Sequence, residues 1–205
     1  MIAGAFGLAA IVKGREPQLP LWALAIAVQL LNIIFLVLNA AGVESYNSVS
    51  RTETGYGDVT MNASYSHSLV SAIAISLVVI IVAMVPWGRR NALILGGTVF
   101  ASWLLAFIVH RGDVALMPGG SNQPGLGLGL WAMPLASVAL ELALVLVGAF
   151  LYYHAAMRTA VRAERADTKE GRPPAAPYRQ QSRTTAIIML VAMLAVLVAN
   201  FLLGM

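Results

Sequence analysis

From residue 69 to 87 the sequence reads LVSAIAISLVVIIVAMVPW, an apolar run without one charged side chain. A helix rises about 1.5 Å per residue, so roughly 18 to 20 such residues cross a hydrocarbon core of about 30 Å. No motif constrains the fold as strongly. In hydrocarbon the backbone must satisfy its own hydrogen bonds, which leaves helices or closed barrels. This run belongs to the apolar stretch 66–87, and comparable stretches lie at residues 19–41, 92–109, 131–153, which holds one charge, and 185–203. Their length exceeds that of barrel strands, which predicts an all-α fold, a polytopic membrane helical bundle of about five transmembrane helices.

Composition agrees. Of the 205 residues, 59% are apolar and 11% charged, outside the range of soluble domains. The absence of cysteine excludes disulfides, thiolate metal sites and cysteine nucleophiles. The net charge of +4 does not argue for nucleic acid, because the basic residues lie between apolar runs, where membrane orientation accounts for them.

Residues 1–12, MIAGAFGLAAIV, are too short to cross and are expected as a re-entrant or interfacial segment. Lys13 and Arg15 follow this run, whereas a cleaved signal peptide carries its positive charges ahead, so the segment is expected to be retained. The first span holds Gln29, Asn32 and Asn39, polar amides that should face other helices. Residues 43–65 form a net negative polar loop with Glu44, Arg51, Glu53 and Asp58, and its Tyr46, Tyr56 and Tyr65 suit the headgroup level.

Gly88-Arg89-Arg90 is a tight turn, so the runs on either side should be antiparallel neighbours. That brings His67 and His110 to one membrane face. From residue 102 to 131, SWLLAFIVHRGDVALMPGGSNQPGLGLGLW, a span ends in a polar turn and a glycine-rich loop. At four-residue spacing Ser102, Ala106 and His110 share one stripe, and of these only His110 could bind a metal. Glu141 sits about a third of the way into the fourth span, where a carboxyl is either protonated, hydrogen-bonded to an interior group or functional. His154, beside Tyr152 and Tyr153, falls at the opposite face as an interface residue. Residues 157–183 carry six arginines and Lys169, with Pro173, Pro174 and Pro177 in the second half, and are expected as a helical extension followed by an extended linker.

Lys13 and Arg15, Arg89 and Arg90, and this basic segment all fall at one end of the bundle. The positive-inside rule then expects the basic loops in the cytoplasm and the His67/His110 face and the C-terminus periplasmic or extracellular. No P-loop, dinucleotide fingerprint or nucleophile elbow is present.

Several segments in order carry a family resemblance: Gly4-Ala5-Phe6 with Lys13, Gln29-Leu30-Leu31-Asn32, Tyr65-Ser66-His67-Ser68-Leu69, Ser102-Trp103-Leu104-Leu105, His110-Arg111 with Asp113, Met117-Pro118-Gly119-Gly120, Gly127-Leu128-Gly129-Leu130-Trp131 and Glu141-Leu142. Together they resemble the bacterial multi-pass inner-membrane proteins known as metal-dependent hydrolases, of the LexA-regulated type. The resemblance covers roughly residues 4 to 155. It implies a hydrolase-like membrane domain over 1–155, while composition predicts a basic Pro-containing cytoplasmic linker over 156–184 and a C-terminal transmembrane helix over 185–205.

The family pattern would place histidine at Ala5, aspartate at Asn32, histidine at Ser102 and aspartate at Ala106, so four ligand positions are replaced. What persists is His67, His110 and Asp113. Metal-dependent hydrolysis needs about three protein ligands and an open position for water. The expected function is therefore a non-catalytic membrane protein, a structural or accessory subunit of a larger complex, with the bilayer and other membrane subunits as partners and no cofactor. One alternative is a hydrolase of a lipid or amphiphile at the outer leaflet, with zinc or another divalent metal on His67, His110 and Asp113 and Glu141 moving protons. Another is a pigment- or haem-associated subunit of an energy-transducing complex, with the histidines as axial ligands.

Overall fold

The structure, a computed structural model, describes residues 2–16, 18–48, 59–110, 112–119, 125–169 and 178–203. Five helices make up the bundle: α1 (Ile2–Arg15), α2 (Leu21–Ala40), α3 (Leu69–Val109), α4 (Pro134–Lys169) and α5 (Tyr178–Leu203). Four of them, α2 to α5, are long and apolar enough to cross a membrane. A short antiparallel hairpin, β1 (Ser45–Ser48) with β2 (Val59–Asn62), lies between α2 and α3, and pairs Ser45 with Asn62 and Ser48 with Val59.

Helix α3 is one assigned element but two arms. At Gly88 the backbone takes φ 73° and ψ 168°, a left-handed conformation that glycine adopts without a Cβ penalty, and Pro86 precedes it. The chain reverses there. Residue 96 of the second arm returns against the first so closely that a Cβ on Gly96 would lie 2.7 Å from the Ser76 carbonyl oxygen. The four long helices thus supply five apolar arms, as the Gly-Arg-Arg turn predicted. The outward faces of these arms are strongly apolar, with Val85 91% and Leu135 85% exposed, which suits lipid rather than water.

The N-terminal segment differs from a helix lying at the surface. Helix α1 enters the bundle: Ala5 and Ala9 pack with Leu24, Ala27, Val28 and Val99 on one side, while Ala3 and Ala10 pack with Val145, Met193 and Leu197 on the other. Its small residues permit this. A Cβ on Gly7 would lie 2.6 Å from the Leu144 carbonyl, one on Gly14 would lie 2.9 Å from that of Leu151, and Gly148 presses on the Gly7 oxygen. Contacts that advance together along both helices mean that α1 and α4 run parallel, with backbones nearly touching.

The basic groups of the first two turns meet at one end. Arg90 pairs with Glu16 at 2.7 Å, Lys13 donates to the Leu19 carbonyl at 2.6 Å, and Trp22 lies 5.7 Å from Trp87. The segment expected as a linker over 156–184 is shorter than that. Residues up to Lys169 continue α4 and those from Tyr178 already belong to α5. Pro173, Pro174 and Pro177 lie outside the described residues. The two helices close on each other there, with Arg179 paired to Glu164 at 2.7 Å.

Candidate functional site

At the end of the bundle away from Arg90, three chain segments converge. Ser68 begins α3 by accepting a hydrogen bond from the Ser71 backbone N–H, and this fixes His67 immediately before the helix. The next two N–H groups of that first turn, at Leu69 and Val70, donate to the carbonyls of Ala115 and Leu116 at 3.1 and 3.2 Å. The glycine-rich loop therefore serves as a cap on α3. It is held in turn by a two-way bridge between Val114 and Leu126, by Leu128 N–H on the Phe107 carbonyl, and by Gly129 N–H on the His110 carbonyl at 2.8 Å.

His67 and His110 do come together, both buried, with ring centroids 6.4 Å apart. His67 Nδ1 lies 2.8 Å from the Ser66 hydroxyl and Nε2 lies 3.3 Å from Asn32 Oδ1. Asn32 Nδ2 donates to Gln29 Oε1 at 2.7 Å, and its oxygen faces His67 as an acceptor. This network assigns the imidazole proton to Nε2 and leaves Nδ1 to accept from Ser66, a neutral ring with both nitrogens engaged. His67 lies ahead of the apolar helix, and its pKa is lowered to about 3, first by burial and then by the neighbouring His110, with Asp113 opposing. The His67 carbonyl accepts from the Trp103 indole at 2.6 Å, and Phe35 meets the ring edge-on.

His110 ends α3. Its Nδ1 is 2.8 Å from Asp113 Oδ1, and the Trp131 ring lies 4.4 Å away. Asp113 is thereby a partner of His110. Among the described residues no group of three or more histidine, aspartate or glutamate side chains is arranged to hold a metal ion. Glu141 is completely buried, on α4. His154 lies exposed further along α4, in edge contact with Phe150 and Tyr153.

One residue that the sequence reading left in a loop is central here. Glu44, 3% exposed, accepts from the backbone N–H of Tyr65 at 2.7 Å and of Ser66 at 2.9 Å through Oε1, while Asn39 donates to its carbonyl. It ties the end of α2 to the entry of α3. Tyr65 is half exposed beside Gly119, and Tyr56 lies outside the described residues. Of Ala5, Asn32, Ser102 and Ala106, the four positions at which the resemblance expects a different residue, Asn32 reaches His67. Ala5 is buried on α1, Ser102 turns its hydroxyl back to the Val99 carbonyl at 2.7 Å, and Ala106 contributes its carbonyl to the His110 N–H.

Comparison of the chain with protein-family models, curated proteins and solved structures finds no match.

Proposed function

We propose that this chain is a non-catalytic integral membrane protein, a structural or accessory subunit of a larger assembly, on a scaffold resembling metal-dependent hydrolases whose ligands have been replaced. In this reading it resides in a bacterial inner membrane, with the basic end cytoplasmic and the His67/His110 end periplasmic. The observation that carries the reading is the state of His67: both ring nitrogens are taken, by Ser66 and by Asn32, and Asn32 stands where the family pattern has aspartate. A ring satisfied by neutral partners is a fastening for α2 and α3, with no lone pair directed to an ion.

The hydrolase reading draws on one observation. A metal-bound histidine commonly donates its other ring N–H to a carboxylate, and the His110–Asp113 pair has that form. Metal content decides between them. Protein purified without chelator should hold less than roughly a tenth of an equivalent of zinc, whereas the quadruple variant Ala5→His, Asn32→Asp, Ser102→His, Ala106→Asp should take up more. About one equivalent in the wild type, lost in His110→Ala, would overturn the proposal. The subunit role predicts migration above monomer size in mildly solubilised native membranes, and a monomer there would remove its support.

A further inference from the structure

Helix α4 runs well past the apolar belt. Its residues from Leu135 to His154 span about 30 Å, and a headgroup layer of about 5 to 7 Å carries the membrane boundary to about Arg158. Beyond it stand Arg158, Arg162, Arg165 and Lys169, all exposed. Their spacing of four, three and four residues gathers them within an arc of about 60° on one face of the helix. The acidic residues of the same stretch are elsewhere. Glu164 is turned to α5 and paired with Arg179, and Asp167 is partly buried. Thr159, Ala160 and Ala163 line the cleft against Gln181, Ser182 and Thr185 of α5, so the four cations occupy the side of α4 facing away from its partner helix. None of the four makes an ion pair among the described residues.

This placement exceeds what membrane orientation requires. The positive-inside rule counts basic residues in a loop and is indifferent to the face they occupy. Here they share the face that α1 covers lower down, where Gly14 lies on Leu151. Helix α1 ends at Arg15, and two turns past Leu151 the same surface of α4 is exposed and cationic. Lipid headgroups would reach only its near half, since Lys169 stands about 16 Å beyond Arg158 along the axis and charge is screened over about 8 Å at physiological salt. A rod of complementary charge engages the full length.

We propose that the Arg158, Arg162, Arg165 and Lys169 stripe is the docking surface for an acidic helix of a partner polypeptide, which lies along α4 as an end-to-end continuation of α1. This rests on the accessory-subunit reading and names the surface through which the assembly is held.

The test uses the full chain in native membranes, with a photo-crosslinking residue in place of Ala166, which flanks the stripe, and at Ile188 on the apolar part of α5 as control. The expected product at position 166 maps to a partner peptide rich in Asp and Glu. Its yield should fall at least about tenfold in Arg162→Glu/Arg165→Glu and be retained in Arg162→Lys/Arg165→Lys, because the contact is electrostatic. Crosslinks to phospholipid alone, to a peptide without acidic excess, or at a yield indifferent to charge reversal would each overturn the proposal. Native size separates the two readings. A large assembly that persists after charge reversal discards the docking surface alone, whereas a wild-type monomer discards the subunit role as well.

Discussion

The two ends of the bundle use polar residues in opposite ways. At the His67 end, Glu44, Asn32, Ser66, His67, Trp103, His110 and Asp113 are bonded to one another or to backbone, and the loop around Ala115 and Leu116 caps α3. At the other end the α4 cations face outward and make no ion pair among the described residues, while Glu164 is drawn inward to Arg179. Closed networks fix the position of helices. Open and segregated charge does not contribute to folding and is available to something else. The comparison teaches that His67, one of the residues most suggestive of chemistry in the sequence, has both ring nitrogens engaged within the fold, while His110 engages Asp113 through Nδ1.

Three substitutions should break that contrast at the closed side, in descending order. The largest effect belongs to the shared wall of α1 and α4. Gly7→Leu would drive a side chain into the Leu144 carbonyl, where backbone cannot yield, and should cost more than about 3 kcal/mol, read as loss of folded protein in detergent. His67 comes next, through pH. Its folded pKa is held near 3 against an ordinary 6.5, so the unfolded chain binds the proton first as pH falls. Its stabilising contribution is complete above pH 6.5 and is lost progressively toward pH 3, by a few kcal/mol. The slope of Tm between pH 7 and pH 4 should flatten in His67→Gln. An unchanged slope would show that another group carries the acid sensitivity. Glu44→Ala follows at about 1 to 3 kcal/mol, since it strips the acceptor from two N–H groups, one of them buried, and Glu44→Gln, which keeps a carbonyl acceptor, should recover part of the loss.

The helical bundle was legible because apolar length and the Gly88 turn are properties of the chain itself, and the pairing of His67 with His110 followed from that turn. Helix α1 was legible only as too short to cross. Its role as an inner wall depends on Gly7, Gly14 and Gly148 meeting across helices far apart in sequence, and nothing local marks those glycines as partners. Glu44 was read as one charge in a negative loop, because a carboxylate that caps distant backbone leaves no spacing signature. The helical extension past the fourth span was expected from composition. Arginine and glutamate favour helix as much as leucine does, so the helix continues to Lys169 after the apolar signal stops. The cationic stripe was therefore visible as composition and invisible as geometry.

The smallest expected effect sharpens the contrast most. Arg162→Gln and Arg165→Gln together remove two exposed charges that no carboxylate of the described chain answers, so the stability of the isolated protein should change by less than about 0.5 kcal/mol. Loss of mutual repulsion between cations one turn apart on a helix acts in the stabilising direction. If the pair instead destabilises the monomer by 2 kcal/mol or so, the stripe is bonded within the chain and belongs with the closed networks of the opposite end. A neutral result in purified protein, joined to a smaller native assembly in membranes, would locate its whole effect in association. Thermal unfolding in detergent and migration from native membranes, measured on the same variant, read those two quantities separately.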